Sequence, residues 1–277
     1  MKSRSATLRK LAAAPHIVWS VIFILAPLSF VVYYAFTDAD GAFTFANITA
    51  LAGENYRMVF LRSACYALIA TVICLIIAYP ISFIISRSGA KKQAVMILLV
   101  MLPMWMNLLI RTYSWMVIIQ DTGFLNGILS SLGLPTVHII NTPGAVILGM
   151  VYNYLPYMIL PIYSVMTKID KKYIEAARDL GANARQIAFS VILPLSASGI
   201  ISGITMVFVP SISTFYISQK MGGGSYDMIG DAIERQFMGN YNYNLGASMS
   251  LVLMILILIC MAVMNRFSDD HGEEIIV

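Results

Sequence analysis

A chain of 277 residues that is 59% hydrophobic and only 12% charged departs from soluble domains, where about a quarter of residues are charged. Its strongly positive mean hydropathy excludes an ordinary cytosolic enzyme. Its net charge of +4 is small and is weak evidence for nucleic acid as a partner.

A hydrocarbon core of about 30 Å is crossed by about 20 apolar helical residues, and six runs reach that length. In chain order they are about 17–36, 64–86, 94–119, 144–166, 196–218 and 245–265. The expected class is therefore an all-α, polytopic membrane protein with six transmembrane helices in one domain, 1–277. MKSRSATLRK precedes the first run, but that run is too long for a signal h-region and no convincing small-x-small site follows. It reads as an uncleaved span. The first and last runs are the plainest and are expected nearest to lipid. The third contains Arg111, and the fifth is small, polar and interrupted by Pro210. Cys65, Cys74 and Cys260 fall in or beside apolar runs as small fillers, without spacing for a disulfide framework or a metal site.

Cation counts in the connecting segments predict orientation. Lys2, Arg4, Arg9, Lys10, Arg87, Lys91, Lys92, Lys168, Lys171, Lys172, Arg178, Arg185 and Arg266 fall on one side. Arg57, Arg62, Lys220 and Arg235 fall on the other, with Arg111 near its edge. Both termini are accordingly expected in the cytoplasm, in a multi-pass plasma-membrane protein of bacterial type.

On the cation-rich side, 167–195 forms an unusually polar link. Asp170 is suited to cap a helix, along which Tyr173, Ile174, Ala177 and Leu180 recur at helical spacing. Gly181 suits the left-handed residue that ends a helix, and a second helix runs from about Asn183 towards Pro194. Ala176, Ala177 and Gly181 permit close approach by another surface, with Glu175, Arg178 and Asp179 at its edge. An amphipathic helix resting on lipid headgroups is the plainer alternative.

EAARDLG followed by VILP resembles the EAA loop of ABC importer permeases, E-A-A-x₃-G-x₉-I-x-L-P. Glu175, Ala176, Ala177, Gly181, Leu193 and Pro194 match it, while Val191 stands where Ile is usual. LPMWMNLLIRTYSWMVII, PSISTFYISQKMGGGSYDMIGDAIERQF and the six-span layout look like the permeases of spermidine/putrescine importers. That resemblance implies a type I importer permease fold and a permease subunit that forms half of an alternating-access pathway for polyamines. It further implies two ABC ATPase subunits holding ATP and Mg, a second related permease chain, and an extracytoplasmic binding protein. Glu175 to Asp179, Gly181 and Pro194 become the ATPase-coupling residues, with no cofactor and no catalysis in this chain.

A polar pathway requires polar or aromatic groups inside spans. Asn107, Arg111 and Trp115 are spaced for one stripe of a continuous third span. Tyr152, Asn153, Tyr154 and Tyr157 gather around Pro156, with Pro161 just beyond, and Ser211, Ser213, Thr214 and Tyr216 follow Pro210. Asn107, Trp115, Asn153, Tyr157, Ser213 and Tyr216 are the pathway candidates. Arg111 and Tyr113 read as an outer gate or as structural, with Arg111 snorkelling at the outer interface. Asp227, Asp231 and Glu234 would share one face of a helix and gather cations at the outer mouth, or else dock the binding protein or face solvent. Iron, a sulfur oxyanion or an amino acid are the alternative solutes. A secondary transporter would need acids well inside a span, and a membrane enzyme a catalytic cluster; the sequence offers neither, since His16, His138 and His271 are scattered.

Overall fold

The computed structural model describes residues 15–273. Every regular element among them is helical, beside one isolated antiparallel bridge between Thr37 and Phe43. Lys2, Arg4, Arg9 and Lys10, which entered the orientation argument, lie outside the described residues.

Four helices are long and apolar enough to cross a membrane singly: Pro15–Ala35, Glu54–Arg87, Pro143–Met166 and Tyr243–Met264. The other two expected spans are bent pairs. Ala90–Trp105 meets Leu108–Ser131 at 93°, and Ala184–Leu195 meets Ala197–Ser213 at 68°. The third run, read as one helix over 94–119, is thus corrected to two segments joined at Met106 and Asn107, whose ψ angles of 144° and 134° are extended. Pro103 has no N–H for the carbonyl four residues earlier, and its ring crowds that turn. Asn107 then starts a new helix by accepting from the Leu109 N–H at 2.7 Å. The fifth run also ends early. Its helix stops at Ser213, Thr214 is extended, and a separate short helix, Tyr216–Met221, follows.

The chain divides into two compact units. One comprises the chain up to Arg57 with Ala232–Ile255. Within it Ala35, Ala247 and Leu251 form a small buried cluster with Val31 and Met254 packed around it. Asn244 Nδ2 donates to the Thr37 carbonyl at 2.7 Å and Ser248 Oγ to the Ala35 carbonyl at 3.0 Å. The apolar window of the first span is not buried inside the chain at all, so its bulky side chains face outward along its length.

The other unit comprises Met58–Asp231 and the chain from Leu256. Pro143–Met166 runs through its core, capped by Thr142, whose Oγ1 accepts from the Ala145 N–H, with Pro143 in the first turn where its missing N–H costs nothing. The second span turns Ala70, Cys74, Ala78 and Ser82, each four residues apart, into the interior. Cys74 Sγ donates to the Val151 carbonyl at 3.7 Å and Ser82 Oγ to the Ile159 carbonyl at 3.1 Å. Small residues let backbones approach where lipid supplies no hydrophobic drive between helices. Gly149 performs the same service for Tyr216–Met221, since a β-carbon there would collide with Ile217 and Met221.

Candidate functional site

The polar link after the fourth span is built by local capping. Asp170 accepts from the Lys172 N–H at 3.0 Å and opens the helix Lys171–Asp179. Gly181 closes it at φ +79°. Its N–H donates to the Arg178 carbonyl at 2.8 Å, and the Ala182 N–H donates to the Ala177 carbonyl at 3.0 Å. This pair of bonds is the Schellman arrangement, which satisfies the last free carbonyls while reversing the chain. Asn183 and Gln186 then cap one another reciprocally and start the second helix. A wide π-helical turn, Ile187–Ile192, and Pro194 carry the chain to the fifth span.

The helix Lys171–Asp179 splits its apolar residues. Ile174 and Ala177 pack onto the core of the unit, whereas Tyr173 and Leu180 are exposed, Leu180 at 88%. Glu175, Ala176, Arg178, Asp179 and Gly181 are exposed around them. Tyr173 and Leu180 are thus left uncovered beside small residues and alternating charges. Behind the helix lies a pocket of about 420 Å³ lined by Phe83, Arg87, Lys171, Glu175, Arg178 and Ile187 among others. Arg87 lies over the Phe83 ring at 5.9 Å, and its Nε and Nη2 are buried without a hydrogen-bond partner.

The pathway candidates fare unevenly. Asn107 is an exposed helix cap, because the break before it removes the continuous stripe that it was expected to share with Arg111 and Trp115. Arg111 does not snorkel. It sits in the first turns of the new helix, is 6% exposed, and leaves Nε and Nη1 buried without partners. Asn153 is buried at 1% exposure and donates Nδ2 to the Gly149 carbonyl at 2.8 Å. Tyr157 is exposed and lies 6.4 Å from Tyr154, ring to ring, while Trp115 packs edge-on to Tyr152 at 5.1 Å. Ser213 bonds back to the Val209 and Pro210 carbonyls at 3.2 and 3.4 Å.

Tyr113 and Tyr216 are brought together, with ring centroids 6.2 Å apart at 72°. Lys220, which sequence reasoning used only as a charge count, places Nζ over both rings, 5.6 Å from Tyr113 and 5.9 Å from Tyr216. Its three-residue gap to a helical turn position of Tyr216, i to i+4, was the available signal.

The three acids do not share an exposed face. The helix Ile229–Met238 begins after Asp227. Asp231 is 1% exposed and accepts from Ser218 Oγ and the Met228 N–H, both at 2.6 Å. It is a buried cap that fastens the segment after the fifth span, which corrects its expected place on an exposed helix face. Sequence reasoning also missed Asn126. It is buried, donates to the Gln120, Asp121 and Val137 carbonyls and accepts from the Val137 N–H at 2.8 Å, closing the segment beside an exposed Asp121–His138 pair at 2.7 Å.

Residues 78–270 match the family described as "Binding-protein-dependent transport system inner membrane component". The chain is 39% identical over 246 residues to the spermidine/putrescine transport system permease protein PotB of Haemophilus influenzae, covering 86% of each chain. It is 38% identical over 228 residues to PotB of Escherichia coli K12, covering 79% of this chain and 83% of that one. Among solved structures, a chain of a bacterial alginate ABC transporter, in complex with a periplasmic protein bound to an alginate pentasaccharide, superposes with a TM-score of 0.77. That match covers 96% of this chain and 95% of the other at 16% identity, so it speaks for the fold alone.

Proposed function

This chain belongs to the family of binding-protein-dependent transport system inner membrane components, and from that membership we propose that it is the permease subunit of an ATP-driven polyamine importer. The supporting observation is its 39% identity, across 86% of both chains, to a protein named as a spermidine/putrescine permease. Its partners in this reading are two ATPase subunits, a second and different permease chain, and an extracytoplasmic binding protein. Both termini lie in the cytoplasm. The chain itself is not catalytic, because ATP and Mg are held by the ATPases.

In this mechanism the exposed face around Leu180 seats in the ATPase. ATP binding draws the two ATPase subunits together and carries the helix Lys171–Asp179 with them. The Schellman turn at Gly181 and the reciprocal cap at Asn183 and Gln186 make the link stiff, so displacement reaches the fifth span instead of being absorbed by a loose loop. The cavity then opens outward to receive solute from the binding protein, and hydrolysis resets it. Coupling is assigned to Glu175, Ala176, Ala177, Arg178, Asp179, Gly181 and Pro194.

The test is uptake by proteoliposomes holding the co-expressed subunits and binding protein. Labelled spermidine should accumulate only with internal ATP, and unlabelled spermidine or putrescine should compete while amino acids and iron should not. Uptake displaced by an amino acid or iron, or no polyamine uptake at all, would overturn the substrate assignment.

A further inference from the structure

We propose that Tyr113 and Tyr216 form a binding corner for one primary ammonium of the transported amine, and that the Lys220 side chain occupies this corner until the solute displaces it. The proposal rests on the polyamine reading above and extends it to named residues.

The two rings meet edge to face and leave a corner in which a cation touches both π-faces. Lys220 Nζ sits there, 5.6 and 5.9 Å from the centroids, inside the ~6 Å reach of a cation–π contact. Among the described residues no carboxylate forms an ion pair with it; the two ring faces and the Tyr113 hydroxyl, which is within hydrogen-bonding reach, meet its charge. Chemically, a lysine tip is an ammonium on a methylene stem, the same group that ends a linear polyamine. A corner that accepts one accepts the other. Tyr113 is 43% exposed, so the corner stays reachable from outside.

Position supports the assignment. Each tyrosine sits just beyond a break in its span, Tyr113 after Met106 and Asn107, Tyr216 after Thr214. Irregular backbone at membrane depth is tolerated only where it is buried in protein or lines a cavity, and secondary transporters place their solute contacts at such breaks. Tyr216–Met221 is tied to the start of the fourth span, since the Asn141 N–H donates to the Met221 carbonyl at 2.9 Å. The polar link leaves the far end of that span at Met166. A 24-residue helix separates the two ends by about 36 Å, which places the corner on the face remote from the link. Solute arriving there meets a tethered ammonium that it must replace. The tether gives selection: a monovalent or neutral solute gains less from the exchange than one whose second ammonium finds another partner.

The experiment measures equilibrium binding of labelled putrescine to the purified complex without binding protein or nucleotide. Lys220→Met should tighten binding about tenfold, from removal of a competing occupant of a desolvated cation–π site. Lys220→Arg, which keeps a cation in the corner, should leave it near wild type. Adding Tyr113→Leu and Tyr216→Leu to Lys220→Met should remove the gain, whereas adding Tyr113→Phe and Tyr216→Phe, which removes the hydroxyls and keeps both ring faces, should keep most of it. Equal affinity in wild type, Lys220→Met and the leucine triple variant would overturn the proposal, as would loss of the gain in the phenylalanine variant. Because this measures occupancy without transport, the corner fails or stands separately from the uptake assay that tests the substrate.

Discussion

Gly199 and Gly203 stand where a β-carbon would strike the Pro143–Met166 helix. At Gly199 the contact is backbone, 2.9 Å to the Pro161 carbonyl oxygen and 3.1 Å to the Ile162 α-carbon. At Gly203 the nearest atom is the Met158 sulfur at 2.6 Å, which moves with a flexible side chain. Gly199→Leu should therefore destabilise the protein by about 1–3 kcal/mol through overpacking, and Gly203→Ala should cost clearly less. Thermal unfolding of the detergent-solubilised chain tests the ranking, and equal losses would refute it. At this scale the sequence was least legible. Arg111 looked interfacial only because its depth was counted along an unbroken helix. Asn126 was invisible because its partners are backbone groups as far as eleven residues away, and no periodicity marks such a residue. Asp231 shows the converse: helical spacing set it beside Glu234, but Ser218 and the Met228 N–H hold it inside.

Among the elements, the link between the fourth and fifth spans was the most legible, because caps are local chemistry. Asp170, Gly181 and Asn183 each act on groups within about one turn. Breaks in spans were the least legible. Pro80, Pro156 and Pro161 lie inside helices that continue for many residues, while Pro103 and Pro210 come shortly before breaks. Proline alone does not decide; the difference at Met106 is an asparagine one residue later that caps a new helix. For the link itself, Glu175→Lys and Gly181→Trp should abolish ATP-driven uptake while the chain still reaches the membrane. A pull-down on the tagged permease should show the ATPase subunits lost. Normal uptake with both variants would remove the coupling role from this helix. Gly181→Ala is the milder control: space is open there, and only the left-handed backbone penalty applies, about 1 kcal/mol.

For the whole molecule, apolar run length was enough to find the four single crossing helices and the two bent pairs, since hydrocarbon thickness permits few alternatives. It could not reveal that the first helix and the first part of the last share one unit, because that association rests on Asn244 and Ser248 reaching backbone carbonyls over two hundred residues away. Orientation is open to a direct check in a variant lacking Cys65, Cys74 and Cys260. In intact spheroplasts a membrane-impermeant maleimide should label Ser131→Cys and spare Lys91→Cys, and permeabilisation should expose both. The reverse pattern would invert the topology and place the polar link away from any cytoplasmic ATPase.

The 68° elbow between Ala184–Leu195 and Ala197–Ser213 governs what kind of force can pass. A thrust along the first arm has its larger component across the second arm's axis, so the fifth span is swung instead of being driven lengthwise through the bilayer. Gly199 lies two residues into the second arm, where a β-carbon would meet the Pro161 carbonyl oxygen at 2.9 Å; in the proposed coupling it is the natural pivot. Under the proposed coupling, a short stroke on the link would become a wide sweep at the remote tip, as at the free end of an oar.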